Sequence, residues 1–187
     1  ELPNLIEMSD IRGALHNHTT LSDGEASLEE MADTAQKMGW NWLGLADHSP
    51  TLQIANGASA EDLLEQGNTI QKYNQQWQQQ GKDFRLIHGV ESDILAGGKL
   101  DHPDDVLSKL DYTVASVHAM GKWKARDEVQ NTEELLQVID HPATTILGHP
   151  TGRILQGRDG YEVDLLAVIE HMADHNDAGR LKAIELN

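Results

Sequence analysis

Ala14-Leu15-His16-Asn17-His18-Thr19-Thr20-Leu21-Ser22-Asp23-Gly24 joins a short apolar run to a loop crowded with metal-ligand residue types. Successive side chains of an extended segment point to opposite faces, so residues two apart share one. His16 and His18 can therefore reach a single ion together. Asp23, in the turn just beyond, lies close enough to serve a neighbouring ion. A strand that ends in imidazoles and passes directly into a polar loop fits an α/β fold, where reactive groups gather at the C-terminal ends of parallel strands. The test is whether other strands end the same way.

They do. Alternating β-like and helical stretches place further strands near residues 42–46, 85–90, 112–117, 144–147 and 181–186, after a first at 12–16. The second ends in Asp47-His48-Ser49 and the third in Gly89-Val90-Glu91-Ser92-Asp93. The fourth ends in Ser116-Val117-His118 and the fifth in Gly148-His149-Pro150. A lone His-x-His, or a lone carboxylate such as Glu91, is commonly structural. Ligand residue types at the same end of five consecutive strands point to a shared site.

The intervening helices are well signalled. Ser27 and Glu30 form a capping box, Gly39 closes the helix, and Leu28, Met31, Ala32 and Ala35 share one face. A longer helix is expected from near Ser59 toward Gly81, its glutamine-rich tail (73–80) a solvated face. Shorter helices are expected at 103–110 and 132–139, and a fifth over 163–176. Six β/α units suggest an irregular barrel with no internal repeat, linker or second domain. Residues 1–187 are thus expected to form a single domain, its start resembling a cut made inside a longer protein.

The remaining histidines are read as structural. His171 and His175, four apart on a helix, are expected to face water beside Asp164, opposite a stripe of Leu165, Ile169, Met172 and Ala173. His88 points away from its strand neighbours, and His102 and His141 each precede a proline.

Composition narrows the chemistry. The chain has no cysteine, which excludes disulfides, thiolate zinc sites and cysteine nucleophiles and fits a reducing cytoplasm. No apolar run reaches the roughly 18 residues of a membrane span, and the N-terminus lacks a signal-peptide pattern. With 31 Asp+Glu against 14 Lys+Arg, the net charge of −17 opposes strong gripping of a nucleic-acid backbone. Ten histidines instead draw attention to metal.

His16-Asn17-His18-Thr19, Ser22-Asp23-Gly24, Asp47-His48, Gly89-Val90-Glu91, Ser116-Val117-His118 and Gly148-His149-Pro150 together resemble the successive motifs of the PHP (polymerase and histidinol phosphatase) domain. Ala55-Asn56-Gly57, Leu100-Asp101-His102-Pro103-Asp104, Thr151-Gly152-Arg153 and Gly160-Tyr161-Glu162-Val163-Asp164 are similar to the PHP domain at the C-terminus of bacterial family X DNA polymerases. The resemblance implies a distorted, TIM-like (β/α)7 barrel binding two to three divalent metals. It implies His16, His18, Asp23, His48, Glu91, His118 and His149 as ligands, with Glu91 bridging. It further implies a manganese-dependent 3′→5′ exonuclease that processes DNA 3′ ends in repair, with a polymerase domain N-terminal in the parent chain. The family pattern continues beyond Glu185-Leu186-Asn187 to an Asp-x-His, so the last unit is expected to be missing here.

Imidazole and carboxylate ligands without sulfur suit Zn²⁺, Mn²⁺ or Fe²⁺. The expected reaction is in-line attack on a phosphoester by metal-activated water, with Glu91, His118 and Arg153 as catalytic groups and Arg153 steering phosphate. Lys122 and Lys124 flank Trp123, which suits base stacking, although a partly buried tryptophan in a mobile loop is the plainer reading. Two alternatives stand beside the nuclease: a small-molecule phosphatase of the histidinol-phosphatase type, and a non-catalytic metal-binding module supporting a polymerase.

Overall fold

The computed structural model describes residue 3 and residues 5–186. Its elements are β1 (Gly13–Asn17), α1 (Leu28–Lys37), β2 (Trp42–Leu45), α2 (Ala60–Gln79), β3 (Arg85–Leu95), β4 (Lys99–Leu100), α3 (Asp104–Leu107), β5 (Tyr112–Ser116), α4 (Met120–Lys124), α5 (Glu128–Asp140), β6 (Ile146–Leu147), α6 (Leu165–Asp177) and β7 (Ala183–Ile184). Six strands run parallel in the order β1-β2-β3-β5-β6-β7, and β4 pairs antiparallel with the end of β3. The sheet curls into a half-barrel of the distorted TIM-like kind. A side-chain contact joins its two edges: His16 Nδ1, on β1, lies 2.5 Å from Oε1 of Glu185, just past β7.

Local signals set the helix starts. Ser27, Ser59 and Asp127 each accept a hydrogen bond from the third helical amide, with Glu30, Asp62 and Gln130 reaching back. Such caps contribute about 1 kcal/mol each. Asp127 explains why α5 begins four residues before the expected 132. Apolar faces then meet the sheet. Leu28, Ala32 and Ala35 of α1 pack with Leu43, Leu45 and Leu86. On the other half, Leu135, Val138 and Ile139 of α5 and Val168 and Met172 of α6 cover Val90, Ala115 and Leu147. The glutamine-rich tail of α2 is largely exposed, as expected, though Trp77 sits edge-on to Phe84 at 5.2 Å.

Three expectations need correction. α6 is rotated relative to the predicted stripe: Ile169 is 48% exposed, while Val168, Met172 and His175 are its buried residues. Asp140 at the end of α5 supplies a polar partner there, so an imidazole can be buried. His171 and His175 therefore pack with Asp140 rather than facing water beside Asp164. The segment after His118 is the short helix α4, and Trp123 within it is only 3% exposed, packed 4.9 Å from the ring of Tyr161. A tryptophan committed to the core offers no base-stacking face, although Lys122 and Lys124 are exposed. Finally, β3 runs through Glu91 to Leu95 instead of stopping at 90, because β4 and β5 both pair with its distal half.

Candidate metal centre

The C-terminal ends of the parallel strands face one another, and Glu91 lies at their middle. It sits within β3, flanked by β5 on one side and by a β-bridge to His48 on the other, and is 1% exposed. Five imidazoles surround its carboxylate. His149 Nε2 and His48 Nδ1 approach at 2.8 Å, to Oε1 and Oε2 respectively. His16 Nε2 is 3.1 Å and His118 Nε2 3.2 Å from Oε1, and His18 Nε2 is 3.5 Å from Oε2. Asp23 stands at the rim, half exposed, 3.8 Å from His18 Nδ1 and 3.6 Å from His48 Nε2.

The backbone is bent to achieve this. His16 has φ of 60° and His149 φ of 23°, both in the left-handed region that non-glycine residues rarely enter. The ladder between β1 and β2 shifts register across His16. His16 and His18 thus converge through a bulge rather than through the simple alternation expected of an extended strand. Gly148 allows the equivalent approach at β6: a Cβ there would stand 2.3 Å from Ser116 Oγ. Strain of this kind persists only where surrounding structure enforces it and is common at functional sites.

Carboxylates beyond the ring of imidazoles hold the histidines in place. His118 donates its Nδ1–H to Asp93 at 2.9 Å, which fixes the ring and turns Nε2 toward Glu91. Glu185 contacts His16 through Oε1 and accepts the His149 backbone N–H at 2.9 Å through Oε2. Asp47, fully buried, accepts from Thr19 N, Thr19 Oγ1, Ser22 Oγ and Gln66 Nε2, so the loop carrying His18 and Asp23 is pinned to β2. Asp93, Glu185 and Asp47 were not among the expected site residues. Glu91-x-Asp93 carries the same two-residue spacing as His16-x-His18, a signal the sequence did offer. Asn187, the last residue of the Glu-x-Asn stretch, lies outside the described residues.

Electrostatics follow from this crowding. Burial would raise the Glu91 carboxyl, but contacts from His118, His149, His16 and His48 outweigh it and hold it far below the usual carboxylate range. Burial works against charge on His16 and His118. Their neighbouring carboxylates win, and both imidazoles are pushed up to about 9. His18 moves the other way, lowered by burial and by His48.

This donor set fits divalent transition metals. Donor atoms about 2.1 Å from a shared ion stand about 3 Å apart, the spacing seen around Glu91. Of the five imidazoles only His149 meets Glu91 in hydrogen-bond alignment. The 2.8 Å approach of His48 Nδ1 is out of line for one, which leaves that nitrogen buried without a hydrogen-bond partner. Overlapping triads (His16, His18, Glu91; His18, Asp23, His48; and His48, Glu91, His118) could each hold an ion. All seven expected ligands are thus brought together. Arg153 stands on an exposed loop that lines a 610 Å³ cleft with Pro150, Tyr161 and Glu185. Glu185 connects that cleft to His16 and His149. His88 is buried against α2, where a Cβ on Gly67 would strike its ring, and takes no part in the cluster.

Comparison with known proteins agrees with the geometry. The family model described as PHP domain matches residues 14–187. The chain is 38% identical over 179 residues to the DNA polymerase/3′-5′ exonuclease PolX of Bacillus subtilis, covering 96% of this chain and 30% of that protein. It is 30% identical over 165 residues to a probable phosphatase of Clostridium acetobutylicum, covering 87% of this chain and 60% of the relative. A probable phosphatase of Thermoanaerobacter sp. is 29% identical over 175 residues, covering 92% and 62% respectively. The chain therefore spans under two thirds of the length of each of these relatives.

Proposed function

Because the chain belongs to the PHP domain family, we propose that it is a metal-dependent phosphoesterase acting on DNA 3′ ends as a 3′→5′ exonuclease. The observation that carries the reading is the convergence of five imidazoles on the buried carboxylate of Glu91. The nuclease substrate is supported by similarity to a relative whose name includes that activity.

His16, His18, Asp23, His48, Glu91, His118 and His149 would hold two to three divalent ions, with Glu91 placed to contact more than one. Such ions, when bound, supply Lewis-acid charge and lower the pKa of water toward about 7. The protein's own contribution is positional. Glu91 stays ionised inside the fold, and Asp93 fixes the His118 ring so that Nε2 faces the reacting end of the site. Glu185 ties the first and last strands together across the opening. Arg153 would meet a non-bridging phosphate oxygen at the cleft mouth.

A second reading, a small-molecule phosphatase, is favoured by the net charge of −17 and by the relatives named as probable phosphatases. Turnover by the manganese-loaded chain of a 3′-recessed oligonucleotide and of a simple phosphomonoester separates the two. Stepwise shortening of the oligonucleotide with little monoester hydrolysis is expected; the reverse preference establishes the phosphatase. No helix among the described residues is long and apolar enough to cross a membrane.

A further inference from the structure

We propose a second divalent-metal site at the opposite end of the fold, made by Asp140 of α5 with His171 and His175 of α6. The three residues can each offer one ligand atom, all within 4.8 Å of one another. His171 Nε2 lies 2.8 Å and His175 Nε2 2.9 Å from the same oxygen, Oδ1 of Asp140. Helical geometry sets the two imidazoles one turn apart on one face, with ring centroids 5.1 Å apart. Two imidazoles and one carboxylate, with a side open to water, are a donor set suited to Zn²⁺ or Ni²⁺ and unsuited to Ca²⁺.

Position supports a cation here. Helices in a parallel β/α fold run antiparallel to the strands, so the ends of α5 and α6 lie at the N-terminal edge of the sheet, away from Glu91. Asp140 is the last residue of α5 and His175 lies in the last turn of α6. Two helix C-termini, each carrying about half a negative charge, therefore meet at a spot that already holds a carboxylate. Lys182, close enough to feel Asp140, is committed to the carbonyls of His141 and Thr144 at 3.0 and 2.6 Å. His175 is 5% exposed and its Nδ1 has no partner, so the polar contact of that ring runs through Nε2 toward Asp140.

The role this geometry assigns is a clamp. An ion would tie α6 to α5, and α6 is bracketed to the segment entering β7 by paired hydrogen bonds between Asn176 and Lys182. That segment leads to Glu185. With three protein ligands and partial exposure, the site should bind more weakly than the centre around Glu91.

The test is Zn²⁺ titration of the chelator-stripped full chain, comparing wild type, His171→Gln, Asp140→Asn and a His16→Ala/His18→Ala variant. Wild type is expected to take up one ion more than His171→Gln or Asp140→Asn, with affinity for that ion weakened at least about tenfold in each. The His16→Ala/His18→Ala chain should keep that ion and melt at a higher temperature with Zn²⁺, a rise that adding His171→Gln reduces, while any share due to His48, Glu91 and His118 stays. Gln and Asn preserve hydrogen-bonding capacity, and unchanged manganese-dependent turnover checks the fold. Equal stoichiometry in wild type and both single variants, or a melting rise insensitive to His171→Gln, overturns the proposal and leaves the trio as a hydrogen-bonded helix end.

Discussion

Two histidine clusters sit at opposite ends of one parallel sheet, and they are built differently. Around Glu91, histidines from four separate β/α units converge on a carboxylate that is 1% exposed, through two residues with positive φ and a shell of further carboxylates. Around Asp140, two histidines from one helix meet a carboxylate that is 59% exposed, on regular backbone. The first cluster is costly to assemble, since a buried carboxylate must be matched by positive charge on the surrounding imidazoles or on bound cations. The second follows from helical periodicity and one well-placed aspartate. Strain and burial therefore favour the strand-end cluster as the proposed chemical centre, with a supporting role proposed for the helix-end cluster.

The sharpest way to break this comparison is to neutralise each carboxylate in turn. Glu91→Gln removes the shared anion and should lower phosphoesterase turnover by about a thousandfold, as loss of several kcal/mol of charge stabilisation implies. Asp140→Asn should leave turnover within about twofold at saturating manganese. Steady-state rates on one chromogenic phosphodiester measure both, and comparable losses would erase the functional distinction between the clusters.

A smaller effect tests the supporting carboxylates. Asp93→Asn keeps the size of the side chain but not the anion that orients His118. Metal affinity or activity should fall 10- to 100-fold, the usual consequence of losing a carboxylate behind a ligating histidine. Metal titration alongside kinetics checks it; a loss under about threefold would show that β5 alone fixes the ring.

Much of the strand-end cluster was legible in the sequence because apolar runs that end in ligand residue types are local signals, although a bulge and not alternation brings His16 and His18 together. His16, His18, His48, Glu91, His118 and His149 all fall at ends of recognisable apolar runs, so their convergence follows from the parallel topology. The anchoring residues were harder. Asp47 acts through contacts with Thr19, Ser22 and Gln66, and Glu185 through contacts with His16 and His149, pairings distant in sequence. The facing of α6 was misread because an apolar stripe and a histidine-bearing stripe compete on that helix. The partner that decides between them, Asp140, lies 31 residues before His171. Trp123 posed the same difficulty: lysines on both sides suggested a surface loop, whereas its packing against Tyr161 depends on a segment far along the chain.

The smallest expected signal concerns pH in the metal-free protein. His16 and His118 have pKa values raised from 6.5 to about 9 in the fold. A group whose folded pKa is raised binds its proton more tightly when folded, so stability falls wherever the unfolded chain has lost that proton first. Their contribution is fully present below about pH 6.5 and is lost progressively as pH rises through 9. The chelated protein should therefore melt several degrees lower at pH 9 than at pH 7. Manganese-loaded protein should not show that loss, because its ligands must shed their protons to bind and higher pH favours binding. Replacing both His16 and His118 by Gln should flatten the metal-free slope, whereas His171→Gln should leave it intact. A slope that survives the first pair, or vanishes with the second change, would place the titrating groups at the wrong end of the sheet.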